Sequence, residues 1–173
     1  AVDVNNDGWL DLVTATTMSD GLNEIIGQPR VYINLGNDGS GHWLGFRNEN
    51  GRIPVLTARN GNAGNPRFCD SAVADYNGDG YVDIFYTDYD TPETAGQNIC
   101  IDLNNDGDTS DPGECQASPS ENSSQDFDNK LLLNFGSANP GYFYDATTTI
   151  LTSAQINSAF GNAALSADMN GDG

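Results

Sequence analysis

Residues 75–83 have the sequence DYNGDGYVD, and this short acidic stretch decides the fold. Carboxylates and an amide alternate in it, a glycine follows, and one more aspartate ends it. Carboxylates this close repel each other unless a cation neutralises them, and calcium prefers an all-oxygen shell in a loop that a glycine lets turn sharply. The alternative is a solvated turn rich in Asp and Asn that binds no metal. We predict a calcium site formed by the side chains of Asp75, Asn77, Asp79 and Asp83 and the backbone carbonyl of Tyr81.

The acidic stretch recurs along the chain. Residues 3–11 read DVNNDGWLD, 72 residues before the stretch at 75, and residues 168–173 read DMNGDG, 93 residues after it. The segments that follow also match, since 30–46 parallels 129–145. The first copy assigns the metal-binding roles to Asp3, Asn5, Asp7, the carbonyl of Trp9, and Asp11. The third copy offers Asp168, Asn170 and Asp172 and lacks its last ligand.

Each repeat is expected to form one sheet. Near-continuous apolar runs such as VDIFYT and KLLLNF are typical of strands buried on both faces, and turn residues separate them. Strands are predicted at about 71–75, 82–87, 130–135 and 142–147, and a short helix over 153–160. A four-stranded sheet covered on both faces by its neighbours describes a propeller blade.

The predicted fold class is therefore all-β, with tandem four-stranded antiparallel propeller-type blades that carry calcium-binding loops. Two blades are too few to close a ring, since propellers have 4–8. The predicted units are repeat 1 over 1–74, repeat 2 over 75–167, and the start of a third repeat over 168–173.

The second repeat carries an insertion over about 92–127. Cys100 and Cys115 flank an acidic loop in it, which predicts a disulfide worth roughly 3 kcal/mol for a loop of about 15 residues; the alternative is two reduced thiols. The loop begins like an EF-hand, although its closing glutamate comes one position late. A further calcium site is predicted there, with a flexible acidic loop as the alternative. The candidate ligands are Asp102, Asn104, Asp106, Asp108, Asp111 and Glu114. Cys69 is expected to be a small buried residue, and Asn122 begins a glycosylation sequon.

The charge balance restricts the partners. The chain has 25 acidic and 6 basic residues, a net charge of −19, and one histidine. Without a basic patch, neither nucleic acid nor an anionic membrane surface is an expected partner, and no apolar run is long enough for membrane insertion. His42 is expected in an exposed turn, and no catalytic residue is predicted, so we predict that the chain is not an enzyme. The predicted disulfide favours an extracellular or cell-surface location.

The pattern A-D-x-N-G-D-G-x-x-D, followed by N-x-L-L-x-N-x-G, resembles the FG-GAP/VCBS repeat of integrin-alpha-like β-propellers and bacterial surface proteins. The resemblance covers almost the whole chain outside about 92–127, and it implies the same ligands in the nine-residue loops. The repeats of this chain are longer than the usual propeller blade.

The predicted function is that of a non-catalytic, extracellular repeat protein stabilised by calcium at two to four sites. It would serve as a surface adhesion or interaction module, or as a structural subunit that assembles head to tail into a fibre. The expected partners are copies of itself or further repeats of a longer chain, with a surface protein or glycan as a further candidate. The alternative is a propeller scaffold fragment of a larger secreted enzyme, such as a polysaccharide-active protein.

Overall fold

The computed structural model of the chain is nearly all-β, as the sequence predicts. It describes residues 1–15, 28–49, 51–58, 61, 66–88, 98–100, 104, 106–108, 110–117, 127–156, 161 and 163–171. The strands of these residues are β1 (Leu12–Thr14), β2 (Arg30–Asn34), β3 (Phe46–Asn48), β4 (Phe68–Ala74), β5 (Asp83–Asp88), β6 (Asn98–Cys100), β7 (Cys115–Ala117), β8 (Lys130–Asn134) and β9 (Phe143–Asp145).

The second repeat forms the predicted four-stranded antiparallel sheet. Its order is β4-β5-β8-β9, and the predicted positions of all four strands are confirmed. β5 and β8 lie in the middle of the sheet and are buried along nearly their whole length, which explains their continuous apolar runs. β4 lies before residue 75, the predicted start of the second repeat, yet it belongs to this sheet. The predicted repeat boundaries themselves stay a prediction. Within the insertion, β6 and β7 form a separate hairpin.

The first repeat forms a smaller antiparallel sheet, β1-β2-β3, whose strands correspond to β5, β8 and β9. A single bridge between Val2 and Asp11 stands where Ala74 pairs with Asp83 in the second sheet. The expected fourth strand is therefore reduced to one residue pair.

The two sheets stack and share one hydrophobic core. We call the side of each sheet that carries Leu12 or Ile84 its front face and the opposite side its back face. Val31 and Ile33, on the back of the first sheet, join Ile84 and residues from the front of the second sheet in one buried cluster. The ring of Tyr86 stacks on Phe68 at 5.0 Å between centroids. This packing is what a propeller-type blade needs, since neither sheet can bury both faces alone.

Two short helices follow the second sheet. They are α1 (Thr147–Ile150) and α2 (Ser153–Ile156). The helix predicted over 153–160 is confirmed for the first four residues, and 157–160 lie outside the described part of the chain. Across the residues that the structure describes, no helix has the length and apolar character needed to cross a membrane.

Candidate metal centre

The loop between β4 and β5 closes around the side chain of Asp75. Its Oδ1 accepts hydrogen bonds from the backbone N–H groups of Gly78 and Asp79, at 2.8 and 3.1 Å. Its Oδ2 accepts one from the N–H of Gly80 at 2.7 Å. Gly80 has φ +87°, a left-handed conformation that strains a residue with a side chain. The glycine is therefore what lets the loop fold back over the carboxylate.

The alternate side chains that follow continue this arrangement towards β5. Asn77 accepts from the N–H of Asp79 at 3.0 Å and donates from Nδ2 to Asp79 Oδ2 at 3.1 Å. Asp79 Oδ1 accepts from the N–H of Tyr81 at 2.8 Å. Asp75, Asn77 and Asp79 thus all accept hydrogen bonds from the backbone of one tight loop.

Asp83 begins β5 and is completely buried. Its Oδ2 accepts from the N–H of Tyr76 at 3.0 Å, and its Oδ1 accepts from the N–H of Asn134 at 2.8 Å. Burial raises the pKa of this carboxyl, the two amide hydrogen bonds oppose that effect, and the charges of Asp79 and Asp75 raise the pKa further. Ionised Asp83 therefore has an unfavourable free energy in this buried site, and a cation nearby would make the ionised form more favourable.

The first acidic loop repeats these hydrogen bonds. Asp3 accepts from the N–H groups of Asp7 and Gly8 at 3.1 and 2.8 Å. Asn5 accepts from the N–H of Asp7 at 3.2 Å and donates to its Oδ2 at 2.9 Å. Asp7 Oδ1 accepts from the N–H of Trp9 at 2.8 Å. Two loops 72 residues apart thus have the same internal arrangement.

Asp11 is the buried counterpart of Asp83. Its Oδ2 accepts from the N–H of Val4 at 3.0 Å, and its Oδ1 accepts from the N–H of Asn34 at 2.8 Å. Burial raises its pKa as well, against the two amide hydrogen bonds and with added repulsion from the loop's other two aspartates. Both repeats therefore end the loop with a carboxylate that ties it to the neighbouring strand.

In each repeat, one asparagine outside the acidic motif makes hydrogen bonds that the motif itself does not predict. Asn134 is buried; its Nδ2 donates to the carbonyls of Val82 and Val4 at 3.2 and 2.9 Å. Its Oδ1 accepts from the N–H groups of Gly136 and Gly141 at 3.1 and 3.2 Å. Asn34 likewise donates to the carbonyl of Leu10 at 3.0 Å and accepts from the N–H of Gly36 at 3.1 Å. The recurrence of N-x-G after β2 and β8 was the signal that could have revealed this role.

The insertion carries a third loop of the same type, although Asp102 lies outside the described residues. Asn104 accepts from the N–H of Asp106, and Asp106 accepts from the N–H of Asp108, both at 3.0 Å. Gly107, at φ +92°, matches the conformation of Gly80. The central part of the loop therefore has the arrangement of the two nine-residue loops.

The end of the insertion loop differs from the nine-residue loops. Asn104 also donates to Asp111, and the N–H of Asp111 donates to the buried Glu114 at 3.1 Å. Hydrogen bonds from Ser110 lower the pKa of Asp108. The structure thus draws Asn104, Asp106, Asp111 and Glu114 into one hydrogen-bonded loop, while the side chain of Asp108 bonds to Ser110.

The last acidic stretch begins like the others. Asp168 Oδ1 accepts from the N–H of Gly171 at 2.6 Å, as Asp75 does from Gly78. Gly171 has φ +78° and Gly78 has φ +74°. Asp172 lies outside the described residues, so its predicted role stays a prediction, as does that of Asn170.

Residues 3–86 match the FG-GAP-like repeat family. This segment belongs to that family. The match spans both nine-residue loops and the strands from β1 to most of β5, so the family predicted from the repeated pattern is confirmed. Comparison with curated proteins gave no match, and comparison with solved structures gave none either.

The donor chemistry of the FG-GAP-like loops fits calcium. Carboxylates, an amide oxygen and backbone carbonyls are hard oxygen donors, and each carboxylate oxygen that accepts one N–H retains a second lone pair. Among the described residues, no three Asp, Glu, His or Cys side chains are already grouped as a metal cluster. The carboxylates instead bond to the amides of their own loops. Metal binding would therefore require the carboxylates of each loop to move closer together while the loop keeps its closed shape.

Several other predicted residues can be placed in the structure. Cys100 and Cys115 are directly paired across β6 and β7. Cys69 lies in β4 and is half-buried instead of fully buried, because β4 is an edge strand. His42 is exposed in a hairpin turn, as predicted, with Nδ1 3.5 Å from Asp38. Asn122 lies outside the described residues.

Proposed function

We propose that this FG-GAP-like chain is a non-catalytic, extracellular repeat module whose acidic loops bind calcium and are stabilised by it. The observation that carries the proposal is the shared arrangement of the two nine-residue loops. In each, four acidic or amide side chains lie within one closed turn, and the last carboxylate is buried under the strands. The chain carries a net charge of −19, so a bound divalent cation would also reduce repulsion across the molecule.

The predicted ligands of each loop come from both of its ends. Asp75, Asn77 and Asp79, with the carbonyl of Tyr81, would supply oxygens from the loop, and Asp83 would supply them from β5. Because Asp83 also anchors the loop to β8 through Asn134, a metal held there would link two strands of the sheet. Calcium would then stabilise the folded state and not the unfolded chain, by about 2.7 kcal/mol per site at a concentration of one hundred times Kd.

The insertion supports an oxidising location. Residues that face each other directly across antiparallel strands have Cα atoms about 4.5–5.5 Å apart, which lies within the range that a disulfide requires. Cys100 and Cys115 occupy such a pair of positions. A disulfide there would close the acidic loop at its base, and disulfides persist mainly in extracellular compartments. Such a location suits either an adhesion module or a structural subunit of a surface assembly.

The test is thermal melting in calcium, in magnesium and in chelator. We expect calcium to raise the melting temperature well above the chelated value and magnesium to raise it much less, because magnesium gives up its water shell reluctantly. Asp79→Ala and Asp7→Ala should each remove part of the calcium effect, and the double variant should remove most of it.

Asp38→Ala is the matched control for these variants. Asp38 also caps a turn by accepting two backbone N–H groups, from Ser40 and His42, but it belongs to no repeated acidic loop. Its replacement should leave the calcium effect intact. A melting temperature that is the same in calcium and in chelator would overturn the proposal.

A further inference from the structure

Two hydrogen bonds join the nine-residue loop of the first repeat to the second repeat. Asn134 Nδ2 donates to the carbonyl of Val4 in the first loop at 2.9 Å. Asn6 Nδ2, in the same loop, donates to the carbonyl of Gly80 in the second loop at 3.0 Å. The partners lie 130 and 74 residues apart in the chain. The stacking of the two sheets therefore brings the two candidate metal sites together.

The first link is buried and connects the last carboxylates of the two loops. The backbone N–H of Asn134 donates to Asp83 at 2.8 Å, while its side chain holds the carbonyl of Val4. The N–H of Val4 in turn donates to Asp11 at 3.0 Å. All four residues are at most 3% exposed, so water competes little for these bonds. A shift of one buried carboxylate is thus passed to the other through hydrogen bonds.

The second link lies at the surface and reaches the peptide group that joins Gly80 to Tyr81. The C=O of this peptide accepts from Asn6, and its N–H donates to Asp79 Oδ1 at 2.8 Å. Hydrogen bonds at the two ends of one peptide group strengthen each other. Asn6 in the first loop therefore supports Asp79, a predicted ligand of the second loop. The carbonyl of Tyr81, another predicted ligand, follows directly in the chain.

Asn6 has a backbone conformation that its side chain helps to explain. Its φ is +58°, in the left-handed region that favours glycine and that asparagine tolerates. The corresponding residue of the second loop, 72 positions later, is Gly78, with φ +74°. The turn itself thus needs only a glycine, and the asparagine adds the bond to Gly80. Because the left-handed turn directs the side chain, this bond depends on the closed shape of the first loop.

We infer that calcium binds the two nine-residue loops with positive cooperativity, and that Asn134 and Asn6 are the positioning residues that couple them. This inference rests on the proposed calcium function and adds how its two sites regulate each other. Calcium in one loop would fix the ligands of that loop, and the two links would then hold the other loop closer to its metal-bound arrangement. Binding of the second ion therefore has less of the protein left to order. Such coupling is reciprocal, so each ion raises the affinity for the other by the same factor.

Electrostatic repulsion acts in the opposite direction, and this difference in sign allows a decisive test. Each loop contains three aspartates, a charge of −3, which one calcium ion reduces to −1. If Asp79→Ala leaves the second loop without metal, that loop has a charge of −2 and attracts calcium to the first loop more strongly than a filled loop does. Charge alone thus predicts tighter binding at the first loop of the variant, whereas the coupling predicts weaker binding.

The experiment follows each loop separately by NMR of the ¹⁵N-labelled whole chain, with the free calcium concentration set by a chelator buffer. The amides of Gly8 and Gly80 donate to Asp3 and Asp75, so their signals report the filling of the first and the second loop. For two sites of similar intrinsic affinity, a coupling of about tenfold would raise the midpoint of the Gly8 signal about threefold in Asp79→Ala. Removing a ligand from the first loop instead should raise the midpoint of the Gly80 signal in the same way.

Asn6→Gly tests the surface link without removing a ligand or a charge. Glycine accepts the left-handed φ, so the variant should fold. The midpoint of the Gly80 signal should rise, by less than in Asp7→Ala, because the buried link remains. Added to Asp7→Ala, which leaves the first loop without calcium, Asn6→Gly should have a smaller effect on that midpoint than it has alone. Asn139→Gly is the matched control, since Asn139 is also exposed but lies outside both loops, and both midpoints should stay unchanged.

Melting checks that each variant is folded, and Asp7→Ala, read at Gly80, replaces Asp79→Ala if the latter is not. A Gly8 midpoint that stays the same or falls in Asp79→Ala would overturn the coupling. An Asn6→Gly variant that behaves like the control would overturn the role assigned to Asn6. If neither signal responds to calcium in the wild type, the calcium proposal fails together with the coupling. If both loops bind calcium independently of each other, only the coupling fails.

Discussion

Asp83→Asn tests whether a buried carboxylate holds each repeat together. The substitution keeps the size of the side chain and replaces one oxygen with an NH₂ group. Since Asp83 accepts one N–H on each oxygen, from Tyr76 and from Asn134, the amide can satisfy only one of them. The other N–H would then face a second donor in a completely buried site.

The expected loss can be estimated from these contacts. A hydrogen bond to a charged group contributes about 1.5–3 kcal/mol, and a buried donor left unsatisfied costs about 1–3 kcal/mol. Removing the charge also relieves the cost of burying it and the repulsion from Asp79 and Asp75, both of which raise the pKa of Asp83. A net loss of about 2 kcal/mol in chelator is expected, which lowers the melting temperature of a chain this size by about 4–8 °C. In calcium the loss should be larger, because a ligand is lost as well.

The assay is melting of wild type and variant in calcium and in chelator, with Asp38→Asn as the control. Asp38 accepts two backbone N–H groups like Asp83, but it lies at the surface, where water replaces a lost acceptor. Its variant should therefore melt close to the wild type. If Asp83→Asn matches Asp38→Asn in chelator, the buried anchor is refuted; if its loss is equal in both conditions, Asp83 is not a metal ligand.

Three other perturbations give independent checks. Gly80→Ala should lower the free energy of unfolding, measured in urea, by about 1–2 kcal/mol, because Gly80 has φ +87°. Gly39 has no positive φ and open space around it, so Gly39→Ala should leave that free energy nearly unchanged. Burial alone would raise the pKa of Glu49, but hydrogen bonds and charges from two arginines lower it. The stability that ionised Glu49 contributes is thus fully present above the ordinary glutamate pKa of about 4.3, and it is lost as the pH falls through the lower pKa of the folded state. The free energy of unfolding of Glu49→Gln should therefore be about 1 kcal/mol below that of the wild type at pH 7, and the two values should become equal in acid. Cys115→Ser should lower the free energy of unfolding by about 3 kcal/mol under oxidising conditions and by little under reducing ones. If Cys100 and Cys115 of the folded wild type react with a thiol reagent under oxidising conditions, the disulfide is excluded.

The strands of the second repeat could be predicted because their signals are local. The continuous apolar runs of β5 and β8 reflect burial on both faces, and turn residues mark where each strand ends. The single bridge at Val2 could not be foreseen from the repeat, which predicts equal sheets. The exposure of Leu12 depends on whether another sheet lies against it, which residue pattern alone does not reveal.

The acidic loops were predictable as units but not in their internal bonding. Glycine placement indicated where each loop turns, and Gly80 has the left-handed conformation that this turn requires. The convergence of the carboxylates on one metal stays a prediction, since no three of the described acidic side chains are grouped as a metal cluster. The asparagine that supports each loop was harder to predict, because Asn134 lies 51 residues from Asp83 and its one signal is the N-x-G that recurs in both repeats. Long-range partners of this kind leave no periodic pattern in the sequence.

Calorimetric titration of calcium into the chelator-treated chain tests the central claim most directly. The account predicts two to four bound ions per chain, a count that falls by one in Asp79→Ala and by one more when Asp7→Ala is added. No binding heat in the wild type, or a count that neither substitution changes, would contradict the assignment of the two nine-residue loops as calcium sites.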